Sequence, residues 1–429
     1  MSRFSFFRQS GWVLIALTMS GGFMWAVHLV APDPLGEGDY GLFNTLVPLL
    51  GFTAIPALGI QAILAQQTAS ALGENQLRQL RGTMRVLVGG TFVLWLAAVC
   101  VVFFAQRYIL QQLKISDPTT LWITVCATLF MLWTPVFSGI LQGRQNFLWY
   151  GMMGIVGALG RFAGIFVLVY LLGYGINGAM FGVFLGVTMA LALSGWHTRT
   201  IWRGAAEKIA LREWLAQVAP LTLGIGATTI IMNADMIVVR VLFEENTTGL
   251  YSAAGILGRA LAYFIGPMAQ VMFPKVVQSA ARAERTNVLA QALGATALLG
   301  GVGALVCTVV PWLPLRIIYP PAYLAIEPLV PWFAWCVLPV TLSNVLINNL
   351  LARGRYAVYR WLVAVALAYP AALVLILGHI DIPSELAAFK IIVSILGTFG
   401  LLVLVVCCWF TWRTTEHGQS RPVKEGAVA

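Results

Sequence analysis

Apolar residues gather into runs of about 20 along this chain, parted by short polar segments. The runs fall at about 11–30, 40–65, 84–104, 121–141, 152–172, 176–193, 214–242, 249–272, 290–312, 328–350, 359–377 and 384–410. They do not alternate polar with apolar, and they far exceed the roughly 10-residue strands of a membrane barrel. In lipid the backbone must pair its own polar groups, which leaves helices or closed barrels. About 20 apolar residues carry a helix across about 30 Å of hydrocarbon. The pattern predicts an all-α membrane protein with twelve transmembrane helices. The first run follows Arg3 and Arg8. It is longer than the apolar core of a secretory signal and no small-residue cleavage site closes it, so it reads as an uncleaved first span.

Composition agrees. Of 429 residues, 59% are hydrophobic and 10% charged, against about 25% charged in a soluble domain. So few charges cannot cover a water-facing surface. The net charge of +10 would suit nucleic acid, but the bases are arranged for topology. With both termini cytoplasmic, that side holds 19 bases (Arg3, Arg8, Arg78, Arg81, Arg85, Arg144, Arg199, Arg203, Lys208, Arg212, Lys275, Arg282, Arg285, Arg353, Arg355, Arg360, Arg413, Arg421, Lys424). The outer side holds four: Arg107, Lys114, Arg240 and Arg316. This asymmetry is the positive-inside rule. It predicts a multi-pass membrane protein with both termini cytoplasmic, in contact with anionic lipid and not with nucleic acid. Outer loops are short, as in Ala31–Asp39, and the largest cytoplasmic loops, Gln66–Thr83, Ser194–Leu211 and Pro274–Leu289, are too small for a folded domain.

The chain carries traces of a duplication. Gly41-Leu42-Phe43 opens the second run and Gly249-Leu250-Tyr251 the eighth, 208 residues on. Gly143-Arg144 with Tyr150 follows the fourth run, and Gly354-Arg355 with Tyr359 follows the tenth, 211 residues on. Six spans is an even number, so the halves share one orientation. This predicts two six-helix lobes related by a parallel repeat, with alternating access by rocking one against the other. The N-terminal lobe is residues 1–212 with a linker at about 194–212, the C-terminal lobe 213–412, and 413–429 a cytoplasmic tail. Gly178, Gly182 and Gly186, with Gly160 and Gly164, form small-residue stripes that let helices approach closely. Prolines inside runs, at Pro48, Pro56, Pro135, Pro220, Pro267, Pro339 and Pro370, predict static bends or hinges.

Candidate chemistry is sparse. No lysine follows a glycine, so there is no phosphate-binding loop, and the four histidines form no HExxH. The six cysteines, Cys100, Cys126, Cys307, Cys336, Cys407 and Cys408, lie in or beside apolar runs and read as small hydrophobes. No cofactor or metal is expected, and no enzymatic activity. Charges inside spans are costly and point to function. Arg161 and Arg259, one from each half, lie about ten to twelve residues into their runs, or roughly 15–18 Å deep. Asp235 is the one carboxylate well inside a run, placed to pair with Arg259 or to take a proton or sodium ion. Lys390 lies near the outer end of the last run. Arg161, Arg259 and Lys390 are candidate substrate-binding residues, and Asp235 a candidate ion-coupling or ion-pair residue. A planar guanidinium fork suits phosphate, so two deep arginines favour an anionic substrate over a cationic one.

Gly38-Asp39-Tyr40-Gly41-Leu42-Phe43, Leu141-Gln142-Gly143-Arg144, Asn233-Ala234-Asp235-Met236-Ile237-Val238-Val239, Gly249-Leu250-Tyr251-Ser252-Ala253-Ala254 and Phe273-Pro274-Lys275 together resemble a family. It is that of the flippases and exporters of bacterial polysaccharide biosynthesis, within the multidrug/oligosaccharidyl-lipid/polysaccharide exporter superfamily. The resemblance implies a V-shaped pair of lobes, and transfer of an undecaprenyl-diphosphate-linked sugar repeat, such as an O-antigen unit, to the outer leaflet. It also implies a polysaccharide polymerase and assembly proteins as partners. A multidrug or metabolite cation antiporter of the same superfamily is the alternative. A scaffold or polymer ligase is a third class, but a ligase would need a larger outer loop than any here.

Overall fold

The structure of the protein, a computed structural model, describes residues 3–71, 73–207, 211–260, 262, 288–352, 355–379 and 384–412. Its helices in chain order are α1 (Arg3–Val30), α2 (Pro32–Thr53), α3 (Ile55–Ser70), α4 (Glu74–Gln112), α5 (Pro118–Gly143), α6 (Phe147–Ile165) and α7 (Gly175–Trp202). Then follow α8 (Leu211–Leu242), α9 (residues 245–260), α10 (Val288–Val309), α11 (Trp312–Ile318), α12 (Leu329–Ala352), α13 (Tyr359–His379) and α14 (Glu385–Trp412). Among the described residues nine helices are long and apolar enough to cross a membrane, and ten if the bent α1–α2 pair counts as one span. The protein is therefore an all-helical, multi-pass membrane protein. The eighth predicted run is described only as far as 260 and at 262. Pro267, the Phe273-Pro274-Lys275 motif, nearly all of the 274–289 loop, Gly354 and the tail from 413 lie outside the described residues.

Two expected loops are helix instead. Most of Gln66–Thr83 belongs to α3 and to α4, which begins at Glu74. Gly73, in extended conformation, donates its N–H to Gln76 Oε1 at 3.1 Å and starts the helix. Leu80, Met84 and Leu87 then pack against Ile60, Ile63, Val136 and Ile140. Their spacing of three and four residues is helical, but Arg78, Arg81 and Arg85 between them make the segment look polar when averaged. Likewise α7 runs on through Ser194 to Trp202. The expected outer loop Ala31–Asp39 is also largely helical. Pro32 sits at the first position of α2, where its missing N–H costs nothing, and α2 leaves α1 at 103°. Gly36, at φ +69°, interrupts it.

The predicted second span is split. α2 ends at Thr53 and α3 begins at Ile55, just ahead of Pro56. The ring of Pro56 clashes with the carbonyl four residues back and its missing N–H removes a helix bond, so the ladder is interrupted although Ala54 keeps right-handed helical angles. α2, α5, α12 and α13 run through their internal prolines, Pro48, Pro135, Pro339 and Pro370.

Helix neighbours recur along the chain. In the first half α1 packs on α6, α6 on α7, α5 on α7, and α4 on α5. In the second half α8 packs on α13, α13 on α14, α12 on α14, and α10 on α12. Numbered by the twelve predicted runs, the second set of pairs matches the first, six runs on. The halves meet where α2 and α3 run along α8. α4 lies at the periphery and exposes Val93, Leu94, Val101, Phe103 and Phe104, a surface that only hydrocarbon covers favourably.

Candidate functional site

The buried charge of the second half is built by α8 and α9. Tyr251, Gly255 and Arg259 recur every four residues and share one face of α9. Arg259 Nε donates to the Met232 carbonyl at 2.7 Å, and its Nη2 is paired with Asp235 Oδ2. The Tyr251 hydroxyl donates to the same Asp235 oxygen at 2.5 Å. The guanidinium lies 5.2 Å from the centre of the Phe333 ring on α12. Gly255 provides the space, since a methyl there would sit 2.5 Å from Arg259 Nη1. Asp235 is fully buried and Arg259 is 2% exposed. An isolated charge at this depth would cost several kcal/mol, and the pair neutralises itself.

Arg161 is held differently. The glycine stripes predicted on the fifth and sixth spans meet, and a methyl on Gly186 would lie 2.8 Å from the Arg161 backbone nitrogen. Gly164 and Gly182 make an equally close approach. α6 is thereby drawn against α7, and the Arg161 side chain turns to α1 and α2. Its Nη1 reaches the Met24 sulfur at 3.6 Å, and its guanidinium lies 5.4 Å from the centre of the Phe43 ring. Arg161 is 8% exposed. Just beyond it the helix widens into a π-turn at Phe166–Leu171, a distortion frequent at functional sites.

The structure thus joins Asp235 to Arg259, and the described partners of each arginine come from its own half of the chain. Lys390, on α14, is half-buried with its Nζ 5.9 Å from the centre of the Trp332 ring on α12.

Sequence reasoning passed over a cluster at the junction of the halves. Arg240, in the last turn of α8, is 1% exposed. It donates to the carbonyls of Leu113 (2.8 Å), Lys114 (2.8 Å) and Gly38 (3.2 Å), all from the first half. Lys114 Nζ in return bonds the Phe243 carbonyl. Tyr40 links His28 (2.9 Å) to the Tyr319 hydroxyl (3.0 Å) across the same junction. The available signal was the charge tally itself, in which Arg240 is one of few bases set against the positive-inside rule.

Comparison with known proteins fits this architecture. An inward-facing multidrug resistance MATE family transporter of the MOP superfamily superposes with a TM-score of 0.71 at 14% identity, over 95% of this chain and 96% of that one. The lipid II flippase MurJ, in an inward closed conformation, gives a TM-score of 0.71 at 14% identity, over 93% and 87%. A MOP superfamily transporter from Pyrococcus furiosus, described as having a binding pocket of reversed polarity, gives 0.68 at 11%, over 96% of each chain. The fold is that of the MOP transporters. No curated protein matches by sequence. The family model for polysaccharide biosynthesis proteins matches residues 33–280, more than half of the chain. The chain belongs to this polysaccharide biosynthesis family.

Proposed function

We propose that this protein flips a lipid-linked oligosaccharide diphosphate from the cytoplasmic to the outer leaflet of a bacterial inner membrane. Twelve spans form two six-helix lobes, about 1–212 and 213–412, that alternate access to the sugar-diphosphate head while the polyprenyl tail stays in lipid. The recurrence of helix neighbours six spans apart supports the lobes and their parallel repeat. Membership of a polysaccharide biosynthesis family supports the substrate class.

One observation carries the reading: among the described residues the buried charges are Arg161, Arg240 and Arg259 with one acid, Asp235, and that acid is already engaged by Arg259 and Tyr251. A diphosphate offers several oxygens to a planar fork, so it can compete with a single carboxylate for Arg259. Asp235 then acts as the counter-ion that holds Arg259 until substrate arrives. A sodium ion at Asp235 would leave the buried pair with a net positive charge, and a proton would strip Arg259 of its partner. Ion-pair exchange suits this geometry better than direct proton or sodium coupling. The cation antiporter needs a carboxylate open to its cargo, and Asp235 is fully buried with Oδ2 held by Arg259 and Tyr251. Arg161 and Lys390 supply the remaining positive charge of the path.

The test is reconstitution with a polyprenyl-diphosphate oligosaccharide on the inner leaflet, followed by lectin capture from outside. Capture above that of empty liposomes is expected. No capture, with efflux of a cationic dye instead, overturns the reading in favour of the antiporter.

A further inference from the structure

Two helices cap each other across the junction of the halves. The final carbonyls of a helix have no intrahelical partner and carry the negative end of its dipole. At the end of α4 the N–H groups of Leu113, Ile115 and Lys114 donate to the carbonyls of Ile109, Leu110 and Gln111, Lys114 lies in the left-handed region at φ +51°, and the carbonyls of Leu113 and Lys114 are left for a partner outside the turn. This turn lets Arg240, from the end of α8, take the carbonyls of both Leu113 and Lys114. The base of α4 in turn takes the carbonyl of Phe243, just past the end of α8. The third Arg240 bond, to Gly38, brings in α2. Close by, Gly38 comes against Glu245 and Asn246, and Gly41 against Thr248 and Gly249. Every one of these contacts joins the first half to the second at the end assigned to the outside.

A buried arginine whose described hydrogen-bond partners all belong to the opposite half is an interlock. The two halves cannot part at this end without breaking its three bonds and the reciprocal lysine bond together. Two acids stand ready beside it, since Asp39 and Glu245 both act electrostatically on Arg240. When the carbonyls withdraw, the guanidinium has carboxylates to turn to. We propose that Arg240 is the latch of the outer gate, holding this end shut by capping α4 and released for each outward opening. The inference rests on the flippase reading, because only an alternating-access carrier has to open this end.

The experiment uses full-length protein with the six native cysteines replaced by alanine and Thr248→Cys as reporter. Thr248 is fully buried at the junction, so its thiol meets a membrane-impermeant maleimide only when the end parts. Arg240→Ala is expected to speed labelling at least about tenfold, as when charge-assisted hydrogen bonds are lost. Arg240→Lys should fall between, because charge survives while the fork does not. Lys114→Met, which removes the reciprocal bond, should also speed labelling, and it stands in if Arg240→Ala is not recovered from membranes. Labelling at the parent rate in these variants overturns the latch. A Gly38→Cys/Glu245→Cys pair separates the two ideas. An ideal Cβ on Gly38 lies 3.4 Å from Glu245 Cβ, about the disulfide range. Oxidation should stop surface polysaccharide display and a reductant should restore it. Display that persists with the pair fully cross-linked defeats the flippase reading and the latch together. Display that stops, with labelling unmoved in the Arg240 and Lys114 variants, defeats the latch alone.

Discussion

Gly41 and Gly249, the opening glycines of two similar tripeptides 208 residues apart, meet backbone to backbone. A methyl on Gly41 would lie 2.7 Å from the Gly249 nitrogen, and one on Gly249 would lie 2.0 Å from the Glu37 carbonyl oxygen. Backbone cannot step aside as a flexible side chain can. Gly249→Ala should therefore cost about 1–3 kcal/mol, the usual penalty of overpacking, and Gly41→Ala a similar amount. Gly89 in α4 has open space around it. Gly89→Ala should be neutral or stabilising by up to about 1 kcal/mol. Thermal unfolding of the three variants in detergent checks the contrast, and equal behaviour would sink it.

This contact also shows how far the sequence could be read. The tripeptide echo pointed to a duplication, and hydrophobic run length gave the spanning segments. Both signals are local. The bend at Ala31, the split at Ala54 and the amphipathic start of α4 are also local, but averaging over 20 residues hides them. Depth could be estimated from residue count, which put Arg161, Arg259 and Asp235 inside the bundle. The pairing of Asp235 with Arg259 was an open option until Tyr251, Gly255 and Phe333 fixed where the guanidinium lies. Arg240 was counted as an outer base because charge tallies carry no information about burial. Its partners are backbone carbonyls, which every residue has, so no residue type could announce them.

Asp117 links the turn before α5 to α7. Its carboxylate accepts the Thr119 N–H at 2.8 Å and the Asn177 side-chain amide at 2.5 Å. These bonds, the backbone one first, hold its pKa below the ordinary aspartate value. A folded pKa below the unfolded one adds stability that is present above the unfolded value and fades as pH falls through the folded one. Wild-type protein should thus be more heat-stable than Asp117→Asn near neutral pH, with the gap closing below about pH 4. A gap that widens in acid would contradict this.

Arg161 should be needed for its charge and its fork separately. Arg161→Ala, at normal membrane levels, is expected to abolish surface polysaccharide. Arg161→Lys keeps the charge and loses the bidentate geometry, so display should return in part. The 8% exposure of Arg161 means truncation also removes packing against Phe43 and Met24. Arg161→Met controls for that, by filling similar space without charge, and it should fail like alanine. Display restored by methionine would assign Arg161 to packing alone.

Arg259 calls for a different design, because alanine there would leave Asp235 buried with its ionic partner gone. Breaking a buried pair from one side costs about 3–5 kcal/mol, and loss of the protein would then mask any loss of transport. Removing both charges avoids this. Asp235→Asn/Arg259→Gln keeps polar groups of similar shape and leaves no uncompensated charge, so the double variant should reach the membrane at near wild-type levels. Asp235→Asn alone leaves Arg259 uncompensated and carries the same stability cost, so its binding is measured on the folded protein recovered in detergent, where a detergent-solubilised probe such as undecaprenyl diphosphate should bind more tightly than to the parent. If Arg259 serves the diphosphate, the double variant should accumulate normally, bind that probe weakly and export nothing. If the pair is only structural, the double variant will export like the parent. Comparing protein level, probe binding and export in the same three chains separates the two outcomes, because only a substrate role lets binding rise in Asp235→Asn and fall when the arginine is also removed.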